Sequence, residues 1–146
     1  MPVHRRLLTL AQARSLRPQD VATLLQISGL LGGFMVLQRV LPLPSLIRFF
    51  DARPRARSVG KARADRVIKL TNALLQCIYG RDFCLQRSLV LFHFFRKWGY
   101  PVRIHFGITR KEGKLTGHAW LDEHGTPFAE HDDPTLVYRT IYVYPR

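Results

Sequence analysis

The stretch from Cys84 to Trp98 most narrows what this chain can fold into. Leu85, Leu89, Phe92 and Phe95 recur at helical spacing on one side, while Leu91, Phe94 and Trp98 widen the apolar arc. Gln86, Arg87, His93, Arg96 and Lys97 are left as the polar minority. A helix apolar over most of its circumference has to be enclosed, so other elements must be arranged around it. Gly99 stops it, and Tyr100-Pro101 turns the chain into a strand. From there the period changes from helical to alternating: Val102, Ile104, Phe106 and Ile108 share one strand face.

The downstream segment reads as a series of strands. Arg110 to Gly113 is a hairpin loop, a second strand runs from about Leu115 to Asp122, and Glu123-His124-Gly125 is a turn. A third strand begins near Thr126, and an aromatic strand from Val137 to Tyr144 closes the sheet. Upstream, Pro18-Gln19-Asp20 starts a helix that Pro42 and Pro44 end. Ser45 to Phe50 reads as a short amphipathic helix, and another begins near Ala62 with Val67, Leu70, Ala73, Leu74 and Cys77 at core spacing. Helices followed by an antiparallel meander imply an α+β fold, with N-terminal helices and a central helix packed on a small antiparallel sheet.

A length of 146 residues suits one domain spanning 1–146. Within it, 1–15 is expected to be a flexible basic arm, 18–60 a helical N-terminal subregion with a basic linker, and 62–146 the core carrying the chemistry. The net charge of +13 is uneven: residues 1–70 hold 13 Lys/Arg against 3 Asp/Glu (+10), and residues 71–146 hold 10 against 7 (+3). Arg53, Arg55 and Arg57 begin a basic run that is either solvated surface or a patch for an acidic partner. Val21 to Leu37 carries no charge over 17 residues, the lower edge of a membrane span. Its glutamines, serine and glycines favour a buried or partner-facing helix over membrane contact. Gly29-x-x-x-Gly33 matches a close-packing spacing. Two cysteines make no disulfide framework, and residues 1–15 lack an apolar signal region, so a reducing cytoplasm is the expected compartment. Cys77 reads as core.

Cys84 differs from Cys77 in its position. The turn signals Gly80 and Asp82 deliver it to the first turn of the apolar helix. There the helix dipole and unpaired backbone N–H groups favour a thiolate and could hold an oxyanion. His118, on the second strand, is the available base. A three-residue loop 123–125 would pair Asp122 with Thr126 and set His118 opposite Glu130, within reach of a carboxylate that fixes the imidazole tautomer. Asp132 is the runner-up orienting acid, and Asp122, roughly 13 Å along the strand at about 3.4 Å per residue, is too distant. Cys84, His118 and Glu130 thus form a candidate nucleophile, base and acid for attack on a carbonyl. Gln86, Thr116 and Trp120 are candidates for oxyanion or substrate contacts. Cys84, His105, His118 and His131 are possible zinc-type ligands, but no CxxC or HxxxH spacing supports a metal site.

Three segments together carry a resemblance: Cys84-Leu85-Gln86-Arg87-Ser88-Leu89, Trp98-Gly99-Tyr100-Pro101-Val102-Arg103-Ile104 and Gly117-His118-Ala119-Trp120-Leu121. Over roughly residues 16–134 the chain resembles the transglutaminase-like cysteine peptidases of lasso-peptide biosynthesis, which remove the leader from a precursor peptide. The resemblance implies a papain/transglutaminase-like core with Cys84 as nucleophile and His118 as base. It also implies an acid twelve residues further on, here Glu130 where aspartate is frequent. No cofactor is implied. The implied partners are a separate leader-recognition protein, the leader region of the precursor and an ATP-dependent macrolactam cyclase. Nothing in residues 1–15 could form a leader-binding domain, which agrees with a split arrangement. Two other readings compete: another acyl-transfer enzyme on the same fold, and a non-enzymatic basic module for nucleic acid or a membrane surface. Phe92, Phe95 and Trp98 fall on core spacing instead of forming a base-stacking surface, so nucleic acid is not expected.

Overall fold

Proline and left-handed residues punctuate the helical layer of the computed structural model, which describes residues 16–54 and 59–146. Helix α1 (Pro18–Leu37) starts with proline in its first turn, and Asp20 accepts a hydrogen bond from the Arg17 N–H at 2.8 Å. Helix α2 (Leu43–Phe50) follows Pro42, and α3 (Lys61–Tyr79) ends at Gly80 with φ +71°. Asp82 at φ +57° completes the reversal into α4 (Cys84–Lys97). Aspartate is among the few side chains that tolerate this conformation. The expected arm 1–15 and the cations Arg55 and Arg57 lie outside the described residues; Arg53 is exposed after α2.

The sheet contains β1 (Val102–Lys111), β2 (Lys114–Glu123), β3 (Thr126–Phe128) and β4 (Arg139–Tyr144) in the order β3-β2-β1-β4, all antiparallel. This is an α+β fold of helices packed on a small antiparallel sheet. It is not a simple meander, because β4 returns past β2 to pair with β1. Both hairpin turns contain two residues at positive φ, Glu112-Gly113 and His124-Gly125, so each matches the twist of its strands.

Helix α4 is the enclosed element, touching β1, β2 and all three other helices. Leu89, Leu91, Phe92 and Phe95 are buried along it. Phe95 meets Phe128 (4.6 Å between centroids), Tyr100 (5.2 Å) and Trp98 (5.5 Å) in edge-on contacts. Each fully buried side chain of this kind contributes about 1.5–3 kcal/mol relative to exposure. Asp51, after α2, accepts from Arg96 Nε at 2.9 Å and Tyr144 Oη at 3.0 Å, tying α2, α4 and β4 together.

One expectation about the helices needs correction. Cys77 is exposed, not core. The buried line of α3 follows Ala64, Val67, Thr71 and Leu75, and Cys77 lies about 200° further round the helix from Leu75. Helix α1 is not enclosed: Ile27, Leu31 and Phe34 are buried, while Val21, Leu25, Met35 and Val36 face outward. It is long and apolar enough to cross a membrane by length and composition alone. A Cβ added at Gly29 or Gly33 would meet nothing within 4 Å among the described residues, so that spacing brings none of them close.

Candidate active site

The site lies where the start of α4 meets the middle of β2. Cys84 is the first residue of α4, and the Arg87 N–H opens the helical ladder by donating to the Phe83 carbonyl at 2.9 Å. The N–H groups of Cys84, Leu85 and Gln86 therefore stand outside that ladder, with no side-chain cap. Ser88, one turn on, is buried and donates its hydroxyl to the Ala119 carbonyl at 2.9 Å, fixing α4 against β2. This bond sets the helix start beside His118.

Cys84 and His118 lie close enough that each shifts the other's titration. Burial pushes the Cys84 thiol up; the bond with His118 and backbone bonds from Ala119 and Leu85 outweigh it, leaving the pKa below the ordinary thiol value. His118 is raised to about 9, first by its bond with Cys84 and then by Glu130, against the opposing effect of burial. Each shift favours the charged form, thiolate at Cys84 and imidazolium at His118.

Glu130 Oε2 stands 3.5 Å from His118 Nε2, an ion-pair separation at the outer limit of a hydrogen bond. The expected ladder position is not what places it there. The β2–β3 turn is two residues long, with Glu123 opposite Thr126 and Leu121 opposite Phe128. That register, continued, would turn Glu130 onto the other sheet face. The strand instead ends at Phe128, and Ala129 at φ +57° breaks the alternation. Arg87 then captures the redirected segment. Its Nη1 donates to Glu130 Oε1 at 2.7 Å, its Nη2 to the Ala129 carbonyl, and its Nε to Asn72 Oδ1 at 2.8 Å. Arg87 and Glu130 are both largely buried. In the sequence Arg87 belongs to the polar minority of the helix and to the Cys84–Leu89 motif that carries the resemblance, and neither assigns it this role.

Behind the imidazole is a stack of rings. His118 lies nearly parallel to Trp120 (5.9 Å, 16°) and to Tyr138 (5.0 Å, 28°). Trp120 stacks in turn on His105 (5.3 Å, 21°). Trp120 is fully buried, so it backs His118 and has no surface for a substrate. Gly107, directly opposite His118 across the β1–β2 ladder, makes room for this stack. A Cβ there would lie 2.8 Å from two indole carbons of Trp120 and 2.9 Å from Tyr138 Cβ.

The remaining candidates are dispersed. Gln86 is half-buried beside Cys84 and makes no side-chain hydrogen bond among the described residues, while Thr116 is exposed on β2. Asp132 is exposed and forms no ion pair among the described residues. Asp122 is buried and accepts from Arg103 (2.8 and 3.1 Å), from the Gly125 N–H (2.7 Å) and across to His105 (2.7 Å), holding the β2–β3 turn. His131, also weighed as a metal ligand, is exposed away from that cluster.

A helix-start thiol bonded to a strand imidazole, under helices that cover one face of an antiparallel sheet, defines the papain/transglutaminase class of fold. The family comparison agrees: residues 28–143 match the transglutaminase-like superfamily model, so the chain belongs to that superfamily. The matched domain is the one typical of lasso-peptide biosynthesis proteases, and membership supports a protease role in leader processing. Searches of curated proteins and of solved structures return no match.

Proposed function

We propose that the protein is a cysteine endopeptidase that removes the leader from a ribosomal lasso-peptide precursor, working in the cytoplasm with a separate leader-recognition protein. The observation that carries this reading is the Cys84–His118 pair at the N-terminus of α4, in which each group shifts the other's titration toward its charged form. The Cys84 thiolate attacks the scissile carbonyl carbon, forming a carbon–sulfur bond and an oxyanion. The unladdered N–H groups at the start of α4 stabilise that oxyanion. The His118 imidazolium gives its proton to the departing amine as the carbon–nitrogen bond breaks, leaving a leader thioester on Cys84 and a free core peptide. Neutral His118 then takes a proton from water as the water oxygen attacks the thioester. The thiolate departs, the leader leaves with a new carboxylate, and the imidazolium is restored. Glu130 favours the imidazolium and holds its ring, and Arg87 keeps Glu130 in place.

The test incubates the protein with its leader-recognition partner and precursor and follows cleavage by mass spectrometry. Cys84→Ala abolishes cleavage, while Cys77→Ala retains it. Equal cleavage by the Cys84 variant rejects the peptidase reading.

A further inference from the structure

We infer that the groove between the N-terminal ends of α1 and α3 and the C-terminal end of α4 is a second peptide-binding site, selective for a segment rich in carboxylates. Two adjoining concavities form it. One, of about 540 Å³, is lined in part by Arg17, Thr23, Arg63 and Arg66. The other, of about 210 Å³, shares Gln19, Thr23 and Arg63 and extends to Gln26, Lys97 and Trp98.

The groove's charge is one-sided. Its only acid among the lining residues, Asp20, already accepts from Arg66 at 2.7 and 3.0 Å and from the Arg17 N–H at 2.8 Å. Elsewhere Arg87, Arg96 and Arg103 each meet a carboxylate of the same fold. Arg17, Arg63 and Lys97 form no ion pair among the described residues; Arg17 lines the first concavity, Lys97 the second, and Arg63 both. The Arg63 guanidinium is held over the Trp98 ring at 5.6 Å, so a fork of donors is presented with part of its freedom already lost. Gln19, Thr23 and Gln26 add neutral donors and acceptors suited to a peptide backbone. Carboxylates match the guanidinium fork. A polynucleotide fits less well, because Trp98 is buried and offers no face for a base to stack on.

Position gives the site a spacing rule. Cys84 and Lys97 are at opposite ends of α4, so the groove is about 20 Å from the thiol at 1.5 Å per residue. An extended chain covers at most about 3.3–3.6 Å per residue, so the acidic segment stands at least about six residues from the bond cut. This kinetic consequence rests on the peptidase reading; binding to the groove does not.

Two measurements test it. Anisotropy of a fluorescein-labelled glutamate-rich peptide is followed with Cys84→Ala protein, beside the all-glutamine peptide, in Arg63→Glu, Lys97→Glu and Arg110→Glu backgrounds. Arg110→Glu carries the same charge change on the β1–β2 hairpin. The groove variants weaken binding of the acidic peptide by about tenfold or more, a change of about 1.4 kcal/mol, and Arg110→Glu leaves it within about twofold. Equal losses in all three variants, equal binding of the glutamine peptide, or tighter binding of an oligonucleotide of matched charge would overturn the inference. In the second measurement, the groove variants raise KM for a substrate carrying the acidic segment but not for one trimmed to the residues around the cut. If the unsubstituted protein cleaves neither substrate, the peptidase reading fails while the binding result still decides the groove.

Discussion

Gly107→Ala is a substitution of one methyl group, far from Cys84 in sequence, that should nonetheless disable the site. The added Cβ falls 2.8 Å from Trp120 Cη2 and Cζ3 and 2.9 Å from Tyr138 Cβ. Carbon pairs settle at about 3.5–4.0 Å, so each neighbour must yield by about 0.7 Å. Trp120 cannot swing outward, since it is fully buried and lies between His105 and His118. Tyr138 stacks on His118 as well, so both displaced groups push the imidazole. Overpacking of this kind costs about 1–3 kcal/mol. Taking about 2 kcal/mol, thermal melting should show a Tm lower by about 6 °C. A reacting group displaced by about 1 Å loses about a hundredfold in rate, so kcat should fall ten- to a hundredfold. Cleavage of the precursor is measured at saturating substrate to read kcat. Trp120→Phe deletes the two colliding carbons, so the double variant should recover part of the Tm, with a coupling of about 1 kcal/mol. Unchanged Tm and kcat in Gly107→Ala would refute the claim that the ring stack positions His118.

The remaining predictions concern the groups around the imidazole. Arg87→Met strips the largely buried Glu130 carboxylate of its nearer cation, leaving His118 at 3.5 Å, and should lower stability by about 3 kcal/mol in urea denaturation, with a loss under about 0.5 kcal/mol contradicting the clamp. Glu130→Gln removes the second-ranked support for the raised His118 pKa, so the alkaline limb of kcat/KM should move to lower pH. The same group has a stability signature. Because the folded pKa of about 9 exceeds the ordinary 6.5, its contribution is full below about pH 6.5 and lost as pH rises through about 9. Cys84 titrates in the opposite sense and offsets this near neutrality, so Tm in the parent protein should fall only toward the alkaline end of that window, and the fall should flatten in His118→Gln.

Local signals in the chain fixed most of the helical layer. Pro18, Gly80 with Asp82, and Gly99 mark ends that need only backbone conformations available to those residues, and strict alternation from Val102 to Ile108 marks β1. What could not be read locally came from tertiary contact. The β4–β1 pairing spans the whole β2–β3 segment, and nothing near Arg139 specifies it. Glu130 was reached through a three-residue loop that does not exist. Its approach to His118 depends on Ala129 leaving the strand conformation and on Arg87 arriving from α4. Cys77 looked like core because it is apolar and its spacing follows Ala73 and Leu74, which are not themselves on the fully buried line of α3. Trp120 pointed to the site for the wrong purpose: its partners Gly107 and Tyr138 lie on β1 and before β4.

The central claim is that the sulfur at the start of α4 is held as a thiolate by the imidazole of β2. Its most direct test is the pH dependence of iodoacetamide alkylation at Cys84, read by mass spectrometry of the modified peptide with exposed Cys77 as the internal standard. The account predicts that half-buried Cys84 reacts with an apparent pKa below that of Cys77, and that His118→Ala raises it. A Cys84 that titrates like Cys77, or that ignores loss of His118, would contradict it.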